Sequence, residues 1–143
     1  FGVMAGRVLG PGVTWLAVLI AATFGNLLNT FLLDPNHRAI GASTAVFAAL
    51  GLISGFAWRG KLFAQDRWAW RLGPIVGGIA LLAYTGTGGE NTDIGAHLAG
   101  FVCGFAGGVL LTRVYHLVPD ARVQKLCGAA AVVGVCGAWL IAL

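Results

Sequence analysis

Two side chains in this 143-residue sequence combine a nucleophile with a proton acceptor: Ser43 and His97. A serine hydroxyl becomes reactive when an imidazole takes its proton, and an imidazole can serve first as base and then as acid near neutral pH. Both residues sit inside long uncharged stretches. Ser43 lies 16 residues ahead of Arg59, and His97 lies 16 residues ahead of Arg113. At 1.5 Å per residue, each stands about 24 Å from the basic end of its stretch. A serine and a histidine at equal depth is an arrangement suited to acyl transfer. A lone serine in such a setting ordinarily bonds back to its own helix, whereas an ionisable group in an apolar span is a functional candidate by default.

The elements that carry them are read from composition. Hydrophobic residues make up 58% of the chain and charged residues 10%, with 23 glycines and a mean hydropathy of +0.85. A water-soluble domain carries about a quarter charged residues, so a soluble globule is excluded. Uncharged runs cover 8–33, 39–58, 72–89, 94–112 and 126–143. Each is long enough to cross a hydrocarbon core of about 30 Å as a helix. The expected fold is all-α: a polytopic transmembrane helical bundle forming one domain over 1–143, with spans at about 13–33, 41–58, 72–84, 94–112 and 126–143.

If the connections alternate between sides, eight of the nine Lys and Arg fall on one side and only Arg38 on the other. Asp34, Glu90 and Asp93 fall on the side poor in basic residues. This is the positive-inside pattern of a membrane protein, so the net charge of +4 is read as topology, and nucleic acid is not expected as a partner. Trp58, Trp68 and Trp70 fit an aromatic belt at the basic interface. Cys103, Cys127 and Cys136 form no CxxC pair and read as small buried apolar residues; no metal site is expected. Asn26 and Asn29, three apart, read as glue between helices. The loop Gly86-x-Gly88 is no phosphate loop, because no strand precedes it and no Lys or Arg follows. The run 126–143 holds nothing chemical, so packing is its expected role. The chain opens on Phe1, without a leader of signal-peptide type, and reads as a piece of a longer protein.

Whether Ser43 and His97 can meet depends on how closely their helices approach. His97, Gly104 and Gly108 fall near one line of their helix, with Gly100 beside it, and Ala96 extends the small-residue spacing. Gly51 and Gly55 offer a matching surface on the helix of Ser43.

The segments Gly41-Ala42-Ser43-Thr44-Ala45-Val46-Phe47 and Ala96-His97-Leu98-Ala99-Gly100-Phe101-Val102-Cys103-Gly104 resemble the GxSG-type and AHxxGxxxG motifs of rhomboid intramembrane serine proteases. The resemblance covers about positions 1 to 112. It makes the first four spans similar to core helices three to six of that family, with 126–143 an additional C-terminal helix and Phe1 to Gly10 similar to the segment after core helix two. It implies that Ser43 is the nucleophile and His97 the general base, then acid, of a dyad without a carboxylate. Gly41, Ser43 and Phe47 become oxyanion and positioning residues, Phe47 being the aromatic against which the histidine ring packs. Thr44 stands where the family carries Gly, and the family's other oxyanion donors, a His and an Asn, belong ahead of Phe1.

The expected function is therefore an intramembrane serine endopeptidase that cuts transmembrane segments of other proteins and needs no metal or organic cofactor. Its partners are those substrates and the lipid bilayer, and the expected location is the bacterial plasma (inner) membrane, with the active site toward the extracytoplasmic side. The alternatives are an inactive rhomboid-like protein that binds transmembrane helices and, further off, a small transporter.

Overall fold

The computed structural model describes residues 2–32, 42–59, 68–86 and 94–143. Among these the regular structure is helical: α1 Gly2–Leu9, α2 Pro11–Leu32, α3 Ser43–Arg59, α4 Trp68–Gly86, α5 Ile94–Leu111, a 3-10 segment Thr112–Leu117 and α6 Ala121–Ala142. By length and composition, three stretches among the described residues can each cross a membrane: Pro11–Phe31, Ile94–Leu117 and Ala121–Ala142. The apolar α3 is shorter, at 17 residues.

Local chemistry sets the helix boundaries. Gly10 has φ +74, a left-handed conformation that L side chains rarely adopt, and it separates α1 from α2. Pro11 then occupies the first position of α2, where its missing N–H costs nothing. At the other end of the chain, Asp120 accepts the N–H of Arg122 at 2.7 Å and caps α6. The helix therefore starts at Ala121, five residues ahead of the charge-free run that begins at 126. A charge-free window underestimates a helix whose first turn lies in the interface and carries Arg122 and Lys125. For the same reason α4 begins at Trp68 rather than at 72.

Helices α3 and α5 form the most closely packed pair, and glycine is the cause. Gly100, Gly104 and Gly108 of α5 lie against the backbone carbonyls of Thr44, Ala48 and Leu52; Gly51 and Gly55 of α3 lie against those of Phe101 and Phe105. Both series advance by four residues together, so the two helices run parallel. Helix α2 joins them where Gly25 meets the backbone of Gly100. Because Gly25 is late in α2 and Gly100 early in α5, α2 runs antiparallel to both. Helix α4 rests Gly78 on Phe101 and Leu50. With no hydrophobic drive between helices in lipid, such close backbone approach is what dispersion requires.

The apolar core lies toward the far end of the bundle from Ser43, around Leu9, Val13, Val18, Leu52, Phe56 and Val118. Outside it, large side chains such as Phe24, Phe31, Trp139 and Ile141 point away from the protein, as expected where lipid is the solvent.

One polar residue ties the C-terminal helix to the rest. Gln124 of α6 accepts the N–H groups of Gly12 (2.9 Å) and Val13 (3.2 Å) on its Oε1. Its Nε2 donates to the carbonyls of Leu9 (2.8 Å) and Val118 (2.7 Å). Both amide hydrogens are used, and the Leu9 carbonyl at the end of α1 and the first two N–H groups of α2 find partners. Gly10 leaves no room for a Cβ beside this amide. Apart from that junction α6 is little covered, and Ala131 is its only buried residue. The packing role read for 126–143 is thus confined to one edge of the helix.

Two sequence readings are corrected. Cys103 of α5 is half-buried; Cys127 is half-buried and Cys136 exposed because α6 presents most of its circumference outward. Of the asparagine pair, Asn29 is buried and Asn26 exposed; only the former faces a neighbouring helix.

Candidate functional site

Ser43 is the first residue of α3, preceded by Ala42, whose carbonyl accepts from the N–H groups of Ala45 (3.1 Å) and Val46 (3.2 Å). Its side chain is exposed. The N–H groups of a helix's first turn have no partner within the helix, and the positive end of the helix dipole lies there. His97 lies in the first turn of α5 and is 5% exposed.

The register of α3 and α5 sets the relative height of the two residues. Carbonyl contacts pair Thr44, Ala48 and Leu52 with Gly100, Gly104 and Gly108, an offset of 56 residues; Gly51 and Gly55 pair with Phe101 and Phe105, an offset of 50. Ser43 is therefore level with a point between residues 93 and 99, which brackets His97. Phe47, one turn after Ser43 on the same face, is 2% exposed and stacks on the imidazole, with ring centroids 4.5 Å apart and planes inclined at 24°.

Thr44 turns inward. It is 5% exposed, and its carbonyl oxygen and Cγ2 lie 2.6 and 2.9 Å from where a Cβ on Gly100 would stand. The β-branched residue beside Ser43 thus fills the space that Gly100 leaves. Gly25 closes the same junction from α2, with the Gly100 Cα 2.8 Å from its own Cβ position. Gly25 was not singled out in the sequence; the signal was there in a lone glycine within a long apolar span, but several of the other glycines share it. Gly41 lies outside the described residues, as do Asp34, Arg38, Glu90 and Asp93.

Four other hydroxyls among the described residues are occupied locally. Thr23, Thr30, Ser54 and Thr112 each donate to a carbonyl three or four residues back, Ser54 to Leu50 at 2.7 Å. Ser54 is completely buried, which removes it as a rival nucleophile.

Among the described residues, the basic side chains gather at the opposite end from Ser43. Gln124 links the end of α1, the start of α2 and the start of α6, and Phe56 meets Tyr115 at 5.4 Å near the ends of α3 and α5. Arg7, Arg59, Arg113, Arg122 and Lys125 all belong to these element ends.

Comparison with known proteins gives a consistent result. The Rhomboid domain family profile matches residues 1–114. The chain is similar to "Rhomboid-like protease 1" of Toxoplasma gondii, 30% identical over 118 residues that make up 80% of this chain and 39% of that protein. It thus spans about two-fifths of the relative's length. No solved structure gives a significant match. Helix α6 lies beyond the matched region.

Proposed function

The chain belongs to the rhomboid family, and on that premise we propose that it is an intramembrane serine endopeptidase acting on transmembrane segments of other proteins. Ser43 is the nucleophile and His97 the general base. The observation that carries this reading is the parallel register of α3 and α5, which sets the exposed start of α3 at the height of an imidazole held on Phe47.

The chemistry follows from these positions. His97 takes the hydroxyl proton as Ser43 Oγ bonds to the scissile carbonyl carbon, and the carbonyl π electrons move onto oxygen. Backbone N–H groups at the start of α3 and the helix dipole favour that oxyanion. Collapse breaks the C–N bond, His97 delivers its proton to the departing amine, and an acyl-serine remains. Water, its proton taken by His97, then attacks the ester, releasing the acid and restoring Ser43. A substrate helix must unwind first, because a helical backbone holds its carbonyls in hydrogen bonds; segments rich in Gly or Ser unwind most readily.

In this reading α2 to α6 are five membrane spans of one domain. The ends bearing Arg7, Arg59, Arg113, Arg122 and Lys125 face the cytoplasm. The Ser43 end opens to the extracytoplasmic side, in the plasma membrane if the host is bacterial.

The test is cleavage of a single-span substrate by the full-length protein in liposomes. Ser43→Ala and His97→Ala are each expected to lower the rate by at least about a thousandfold. Substrate that binds but stays intact with the unaltered protein would assign the chain instead to the helix-binding, inactive members of the family.

A further inference from the structure

Helices α2 and α6 run side by side from the basic end of the bundle. They touch at Gly12, whose Cβ position falls on the backbone of Gln124 and 3.1 Å from the Gly128 N, and they leave a groove between them beyond that point. The groove has a volume of about 690 Å³ and is walled by Trp15 and Leu19 of α2 and by Gly128, Ala131, Val132 and Val135 of α6. Its surface is almost wholly apolar, and the polar amide of Gln124 at its base is already engaged in four hydrogen bonds.

Three features decide what fits there. The first is length: the groove extends from Pro11 to Leu19 on one wall and from Gln124 to Cys136 on the other, or about 12 to 18 Å along helices rising 1.5 Å per residue. That is the depth of one leaflet of a hydrocarbon core about 30 Å thick. The second is size. The volume falls in the range that holds a single small ligand, and the gap between two touching helices is too narrow for a third helix about 10 Å across. The third is charge. Arg122 and Lys125 lie in the first two turns of α6, exposed, and Arg7 lies two residues before Leu9, whose carbonyl Gln124 holds. Asp120 is the only acid among the described residues, and its carboxylate accepts the N–H of Arg122 as a helix cap.

We propose that this groove is a binding site for an anionic phospholipid of the basic-side leaflet, with an acyl chain between α2 and α6 and the phosphate among Arg122, Lys125 and Arg7. An apolar slot one leaflet deep, with Arg122, Lys125 and Arg7 near its base against the single described acid Asp120, matches a lipid of that charge, and each cation near the surface favours it about fivefold. The α6 wall lies outside residues 1–114, which match the family, and the site does not depend on the protease reading.

Trp15 in the wall supplies the probe. The full chain is placed in nanodiscs of phosphatidylcholine, and phosphatidylglycerol or phosphatidylcholine with brominated acyl chains is added. The quenching difference between the unaltered protein and Trp15→Phe isolates the groove. Half-maximal quenching is expected at a mole fraction of brominated phosphatidylglycerol roughly a hundredfold lower than of brominated phosphatidylcholine. The preference should fall to about fivefold, that of the remaining Arg7, in Arg122→Gln/Lys125→Gln and persist in Arg59→Gln, an exposed cation at the same end of the bundle. All three substitutions are at exposed positions, so folding is preserved. Equal quenching by the two lipids, or a preference untouched by the double substitution, would overturn the proposal. So would absence of quenching by either lipid, with Val132→Cys cross-linking two copies through this face.

Discussion

A proton acceptor works only if its ring is held at the angle the reaction needs, and in the proposed mechanism part of that holding of His97 falls to Phe47. The two rings lie nearly face to face at 4.5 Å, a contact worth about 0.5–1.5 kcal/mol beyond the area it buries. Phe47→Leu keeps the apolar volume and removes the ring. Its expected effect is a fall in kcat of about tenfold with KM little changed, because an imidazole free to turn loses its alignment while substrate still binds. Phe47→Tyr should restore most of the rate. Equal loss in both variants would mean that Phe47 serves packing alone. Thr44 illustrates the opposite case, a residue beside the proposed nucleophile whose side chain is turned into the α3–α5 contact against Gly100. Its neighbour Ser43 is left exposed.

At the scale of elements, α3 and α5 are held by missing side chains. A Cβ on Gly104 would overlap the carbonyl of Ala48, whereas Gly134 in α6 has nothing within 4 Å of its Cβ position. Gly104→Ala should therefore destabilise the protein by roughly 1–3 kcal/mol through forced separation of the helices. Gly134→Ala should cost nothing, since alanine is the better helix former. Thermal unfolding in detergent followed by circular dichroism distinguishes the two. Much of this packing was legible in the sequence, because small residues repeating every four positions on two apolar runs leave few other uses for that spacing. The start of α6 was not legible in the same way: the charges of Arg122 and Lys125 hid its first turn, and the cap that fixes it is a single aspartate. Gln124 escaped notice for a related reason. A lone glutamine is unremarkable until folding brings the broken junction at Gly10 against it from more than 110 residues away. Gly10 to Pro11 could be read as a break between helices, but nothing in the sequence says what closes it.

For the molecule as a whole, the described basic residues gather at one end and Ser43 and His97 lie at the other, which ties topology to function. A five-span chain places residues 60–67 and 87–93 on opposite sides of the membrane. Single cysteines at Gly60 and Gly89, in a background without Cys103, Cys127 and Cys136, should react oppositely with an impermeant maleimide added to intact cells. Gly89→Cys is expected to label and Gly60→Cys to stay protected until lysis; labelling of both from outside would contradict the five spans. The central claim, that Ser43 is activated by His97, is tested most directly by a fluorophosphonate that reacts only with an activated serine. The full-length protein in membranes is expected to label at Ser43, with the signal abolished in Ser43→Ala and strongly reduced in His97→Ala. Labelling that survives Ser43→Ala, or a folded protein that never labels, would contradict it.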